Sequence, residues 1–148
     1  MVRNYESVFD AMMLYRSLVE RDVFTVREGL TKQQEIVLVG IVMREPISSG
    51  ALASYLSLPP QNVSRNVIDL EAKGLVKREL DSNNHRQVIL SLTDAGKEFV
   101  VKHRKKVHDN LAASFSTLSA DEEVMLVDAS RIAATLLRKI VESPAASR

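Results

Sequence analysis

Gln61, Asn62, Ser64 and Arg65 are the side chains best suited to do chemistry in this chain, and that chemistry is recognition rather than catalysis. Gln and Asn amides can pair bidentately with adenine edges. An Arg guanidinium pairs with guanine N7 and O6, and a Ser hydroxyl reaches a phosphate or a base at short range. All four lie beside the stripe Val63, Val67 and Leu70, spaced i, i+4 and i+7 as the buried face of a helix requires. Further on, Arg86 ends a polar run, Asp81-Ser82-Asn83-Asn84-His85-Arg86, between two segments that read as strands. An arginine on a thin β-ribbon can enter a narrow minor groove, where A·T-rich sequence deepens the negative potential. Taken singly, each feature has a plain alternative: a capped surface helix with a polar face, and a solvated loop arginine. Lys73, Lys77 and Arg78 are candidate phosphate contacts and equally candidate ion-pair partners of Glu71, Glu79 and Asp81.

The elements that must position these groups are legible from periodicity and punctuation. Residues 5–26 read as a helix, with Val8, Met12, Tyr15 and Val19 on one stripe and Phe9, Met13 and Leu18 widening it. Gly29 interrupts. Thr31-Lys32-Gln33-Gln34 is a capping box that opens a helix ending at Glu45-Pro46, because proline disfavours helix in the residue before it. Ser48 or Ser49 can cap a short third helix with Leu52, Ala53 and Leu56 buried. Pro59-Pro60 suits the first turn of the next helix, where the missing N–H would be unpaired anyway, and Gly74 supplies a left-handed stop. Strands are predicted over 76–80 and 87–92. Thr93 caps a long basic helix, and Ser119-Ala120-Asp121-Glu122 is a second capping box opening a helix to about Val141.

Helix, tight turn, helix, then hairpin is the order of a winged helix-turn-helix, which lays one helix in a DNA groove with a hairpin beside it. The fold class is therefore mostly α with a small β-hairpin wing. The chain reads as a single domain over 1–148, with a winged-helix lobe at 30–93. The helices at 5–26 and 97–141 are too apolar for solvent, and their simplest use is to pack together and against a second copy.

Bulk composition agrees with a soluble helical chain. Its 148 residues are 45% hydrophobic and 26% charged, with no cysteine and a net charge of +1. Absence of cysteine excludes disulfide scaffolds, thiolate metal sites and thiol redox sensing. No signal peptide is evident and no apolar run approaches the roughly 20 residues of a membrane span, so a cytoplasmic location away from membranes is expected. No nucleophile stands next to a histidine, and there is no Gly-rich phosphate loop or clustered acidic ligand set, so neither an enzyme nor a bound cofactor is expected. His103 and His108 are five apart, not on the i, i+4 geometry zinc favours, and read as solvated helix residues.

The segment from Leu30 to Gly96 resembles the MarR family of bacterial winged-helix regulators. The resemblance is carried by Leu30-Thr31 with Gln34, Leu52-Ala53, Asn62-Val63-Ser64-Arg65, Leu70 to Val76 with Arg78, and Leu92-Thr93-Asp94-Ala95-Gly96. It covers somewhat under half the chain. It implies a sequence-specific regulator, by expectation a repressor, acting as a homodimer on pseudo-palindromic double-stranded DNA and released by a small aromatic or phenolic effector. Tyr5, Phe9, Met12, Tyr15 and Phe24 are the candidate lining of an effector pocket. The family wing carries a second acid where Asn84 stands and an arginine where His85 stands. Pro59 occupies a position where the family often has a Ser or Thr cap. The competing expectation is a winged-helix module that docks proteins without reading DNA sequence. An apolar or acidic recognition face would mark such a module, and Gln61, Asn62, Ser64 and Arg65 are neither.

Overall fold

Helix caps and turns divide the chain where the sequence places them. The computed structural model describes residues 5–25 and 28–143. Helix α1 spans Glu6–Leu18, α2 Lys32–Arg44, α3 Ser49–Leu56, α4 Pro60–Ala72, α5 Asp94–Phe115 and α6 Ala120–Val141. Strands β1 (Ile47–Ser48), β2 (Val76–Leu80) and β3 (Val88–Leu92) form an antiparallel sheet in the order β1-β3-β2. The chain divides into two compact units, 1–110 and 111–148, with the division falling inside α5.

In the first unit, α2, α3, α4 and the sheet enclose one core. Val37, Ile41, Leu52, Val63, Leu70 and Leu90 are fully shielded from solvent. Burial of each such side chain stabilises by about 1.5–3 kcal/mol, so these few residues fix where α4 sits. Both capping boxes form. Thr31 Oγ1 accepts from the Gln34 N–H at 3.2 Å while Gln34 Oε1 accepts from the Thr31 N–H at 3.1 Å. Ser119 and Glu122 repeat the arrangement at the start of α6. Ser48, not Ser49, caps α3.

Three local differences from the sequence reading stand out. The first helix does not run regularly to Val26, a residue outside the described ones. It changes after Leu18 into a π-helical turn over Val19–Val23, in which the Phe24 N–H donates to the Val19 carbonyl at 3.0 Å. The inserted residue turns Asp22 inward, where Asn110 Nδ2 donates to its carbonyl at 3.1 Å. Strand β1 has no signal in the sequence; its two residues follow directly on Pro46 and pair with Ile89 and Leu90, too short to show alternation. The wing strands themselves pair from Val76↔Leu92 to Leu80↔Val88, one residue shorter at Gln87 than expected.

The end of α4 and the start of α5 meet at one junction. Gly74 has φ +74°, and the Leu75 N–H donates back to the Leu70 carbonyl at 3.0 Å, closing α4 with a left-handed cap. Thr93 Oγ1 donates to the Gly74 carbonyl at 2.5 Å and accepts from the Gly96 N–H at 2.9 Å, so one hydroxyl joins the two helix ends. A Cβ on Gly96 would lie 2.0 Å from the Leu75 carbonyl oxygen, which is backbone and cannot swing aside. Gly96→Ala is therefore expected to destabilise the folded chain by about 3 kcal/mol, the upper end of overpacking costs. Urea unfolding followed by circular dichroism checks this, and a loss below about 1 kcal/mol would contradict the close approach.

Candidate nucleic-acid interface

The outward face of α4 is built by its inward one. Val63, Val67 and Leu70 are buried against the core, and helical geometry then turns Gln61, Asn62, Ser64 and Arg65 to solvent together. Pro59 takes the cap position with extended backbone and no side-chain bond. Its carbonyl accepts from the Asn62 and Val63 N–H groups at 3.0 and 3.2 Å. Pro59 and Pro60 carry no N–H, so Gln61 supplies the one N–H left over in this turn, beside these side chains and at the partially positive end of the helix. The turn before it is tight: Ser57 adopts a left-handed conformation (φ +53°) and the Leu58 N–H returns to the Ala53 carbonyl at 3.0 Å. Asn66, which the sequence reading does not single out, is partly exposed on the same helix, its amide donating to the Asn62 carbonyl at 2.7 Å.

The setting of α4 is tied to α2 by a polar bond as well as by the core. Gln34 Nε2, on the residue that also closes the α2 capping box, donates to Asp69 Oδ2 at 3.2 Å.

The wing tip closes on its own side chains. Asp81 Oδ1 accepts from the Asn83 N–H at 2.9 Å, and Asn84 Oδ1 accepts from the Arg86 N–H at 3.2 Å. These are Asx-type bonds, so Asn84 braces the turn without a charge. Arg86 is exposed beyond the last of them. Among the described residues neither Arg65 nor Arg86 makes an ion pair, whereas Lys77 pairs with Glu79 at 3.2 Å and Arg78 with Glu71 at 3.3 Å. Lys73 Nζ donates to the Gly29 carbonyl at 3.1 Å. The guanidiniums of the helix face and the wing tip are thus uncommitted, while the cations between them are not.

A second feature lies between α2 and α5. A cavity of about 300 Å³ is lined by apolar side chains, among them Leu30, Leu38, Val42, Phe99 and Val107, and by Glu35 and His103. His103 is not solvated, contrary to what its sequence context suggests. Its side chain is 12% exposed, its ring stacks on Phe99 at 5.8 Å, and its Nε2 lies 2.8 Å from Glu35 Oε1. A signal for this exists in the sequence: Phe99, Val100, His103 and Val107 form one stripe at helical spacing, and the histidine belongs to it. His108, by contrast, is exposed. On the other side of the imidazole, Glu28 Oε2 lies 3.5 Å from Nδ1, and the Lys106 ammonium bonded to Glu28 holds that carboxyl below the usual carboxylate range.

Of the aromatic and methionine residues expected to line an effector pocket, Tyr5, Phe9 and Met12 are more than half exposed along α1 and its start, Tyr15 is 38% exposed, and Phe24 lies under the Lys32 ammonium at 5.7 Å. None of the five lines the α2–α5 cavity. Among the described residues no cluster of His, Asp and Glu has the geometry to hold a metal ion, and no helix is long and apolar enough to cross a membrane.

Comparison with known proteins bears on the same segment. Residues 28–87 match the family model described as the MarR family. YkoM of Bacillus subtilis (strain 168), described as an uncharacterized helix-turn-helix transcriptional regulator, is 33% identical over 132 residues, covering 84% of this chain and 86% of the relative. Among solved structures, a MarR transcriptional regulator from Methanosarcina mazei Go1 superposes with a TM-score of 0.71 at 20% identity, covering 91% of this chain and 99% of that one. A mutant of MepR from S. aureus, solved bound to an oligodeoxyribonucleotide, superposes with a TM-score of 0.61 at 21% identity, covering 91% and 99%. A model match that runs from α2 through α4 and β2 to the wing tip, and a relative of this similarity along most of the chain, together mean that the protein belongs to the MarR family of helix-turn-helix transcriptional regulators.

Proposed function

We propose that the protein acts as a homodimeric repressor that reads a pseudo-palindromic operator through Gln61, Asn62, Ser64 and Arg65 of α4 and through Arg86 of the wing, and that a small molecule releases it. The observation that carries the reading is the face of α4, where amides, a hydroxyl and an uncommitted guanidinium stand together over a fully buried stripe. In this reading α4 enters the major groove while Arg86 reaches the flanking minor groove.

Dimerisation accounts for the apolar surface of the two outer helices. Neither α1 nor α6 buries a single residue, yet α1 exposes Phe9 (61%) and Leu14 (67%), and α6 exposes Ile132 (63%), Leu136 (54%) and Ile140 (62%). Contiguous apolar faces of this kind mark contact surfaces. A two-fold dimer presents two copies of α4 to half-sites about one helical turn, roughly 34–36 Å, apart or a multiple of it.

Release follows from where the cavity lies. A ligand lodged between α2 and α5 alters the packing of α2, and α2 holds α4 through the shared core and through Gln34 and Asp69. A ligand that binds better to one spacing of the two recognition helices shifts the population toward it.

Arg65→Ala is expected to weaken binding at the specific site by about 1–3 kcal/mol and to relax base preference there. Arg86→Ala is expected to weaken binding most on operators with A·T-rich flanks, and equal loss on all flanks would contradict minor-groove reading; fluorescence anisotropy on matched duplexes measures both. Leu136→Glu is expected to shift the protein from dimer to monomer in sedimentation velocity and to lower operator affinity more than about tenfold, since the second half-site no longer binds as part of one molecule. A wild-type protein that sediments as a monomer would overturn the dimer.

A further inference from the structure

The outward face of α4 carries one residue whose exposure folding does not explain. Ile68 is 49% exposed and is the only large apolar side chain that α4 leaves in water. It belongs neither to the core nor to the partly buried side chains packed against it. The apolar faces of α1 and α6 are accounted for by the proposed dimer, but Ile68 lies on a different element. An exposed helix position favours Ala, Lys or Glu over a β-branched residue, so helix stability does not select isoleucine here. Its place along the helix is specific. It follows Gln61 by seven residues, Ser64 by four and Arg65 by three, the spacings that stack side chains on one face. The carboxylates on either side of it are engaged within the protein. Asp69 Oδ2 accepts from Gln34 Nε2 at 3.2 Å, and Glu71 Oε2 accepts from Arg78 Nη1 at 3.3 Å. Ile68 thus continues the outward row of Gln61 and Arg65 with an apolar surface.

We propose that Ile68 is a specificity-determining residue that packs against the C5-methyl group of a thymine in each half-site, within about two base pairs of the one Arg65 contacts. This role requires α4 to be the recognition helix proposed above. In that placement the chemistry of the major groove leaves one partner. Base edges of unmodified DNA present nitrogen and oxygen donors and acceptors there, and the single apolar group among them is the thymine methyl. An isoleucine against any other edge would take water from polar atoms and return no hydrogen bond. Reach agrees, because three residues of helix advance about 4.5 Å, little more than the roughly 3.4 Å between base pairs. The χ1 angle of an isoleucine in a helix is nearly fixed, so its methyl groups are held in one direction and little freedom is lost on contact. Arg65 and Ile68 together therefore select a guanine and a thymine close to each other, where Arg65 alone selects only the guanine.

The test uses the full chain and the operator it retains from a random duplex library. Arg65→Ala locates the base pair that Arg65 reads, as the position where base preference relaxes. Each thymine of the half-site is then replaced in turn, in both half-sites at once, by deoxyuridine, which lacks the methyl group and keeps every hydrogen-bonding atom. Fluorescence anisotropy gives the affinity of each duplex for the wild type, Ile68→Ala and Ile68→Val. At one thymine close to the Arg65 position, the replacement is expected to weaken wild-type binding by about fourfold per half-site, the effect of one buried methyl group. Ile68→Ala is expected to bind the two duplexes alike, and Ile68→Val, which keeps a branched apolar end, to retain the sensitivity. Ile68 lies outside the core, so Ile68→Ala is expected to fold as the wild type does, which circular dichroism checks. An operator without thymine in that range, no thymine sensitive to the replacement, or equal sensitivity in the wild type and Ile68→Ala would each overturn the proposal while leaving DNA reading by α4 in place. Retention of no shared motif, or no position relaxed by Arg65→Ala, would overturn the reading of α4 itself and this role of Ile68 with it.

Discussion

The burial of one face of α4 is the constraint on which the rest of the structure depends. Val63 and Leu70 are wholly shielded and Val67 nearly so, so the helix has a single rotational setting in which its apolar stripe meets α2 and α3. Rotating it by one residue would bring Ser64 or Asn62 into the core without hydrogen-bond partners. That costs about 1–3 kcal/mol per group, on top of the apolar burial forfeited. The outward presentation of Gln61, Asn62, Ser64 and Arg65 follows from that setting rather than from anything those residues do themselves. The proposed recognition face is thus inherited from packing.

Around this helix the structure places ties that are short and specific. Gly74 ends α4 in a left-handed turn, Thr93 joins that turn to α5, and Gly96 allows the two backbones to touch. Gln34 links α2 to α4 at Asp69. On its far side, α2 meets α5 across Glu35 and His103, where packing gives way to a cavity. The same helix therefore packs against α4, the element proposed to read DNA, on one side and borders a cavity on the other. In the proposed reading, that continuity couples a ligand site to the face that reads DNA.

Much of this is legible in the sequence alone. The Thr31-to-Gln34 and Ser119-to-Glu122 boxes, the Pro59-Pro60 start, the Gly74 stop and the Thr93 cap are local rules satisfied by neighbours in sequence, and each forms as read. The features that are not legible are set by distant partners. Strand β1 exists only because Ile47 and Ser48 lie beside β3, and two residues carry no period. The π-helical turn at Val19–Val23 accompanies the inward turn of Asp22 and its bond to Asn110, far along the chain. The Phe99, Val100, His103 and Val107 stripe marks His103 as half-buried, but that Glu35 is what it faces shows only once α2 and α5 are packed together.

The central claim is sequence-specific DNA reading by a two-fold pair of α4 helices. Its most direct test is selection of bound duplexes from a random library at near-physiological salt, followed by sequencing of what the purified protein retains. The account predicts an inverted repeat with half-sites about one helical turn apart or a multiple of it. Retention of duplexes without any shared motif, or of nothing above background, would contradict it.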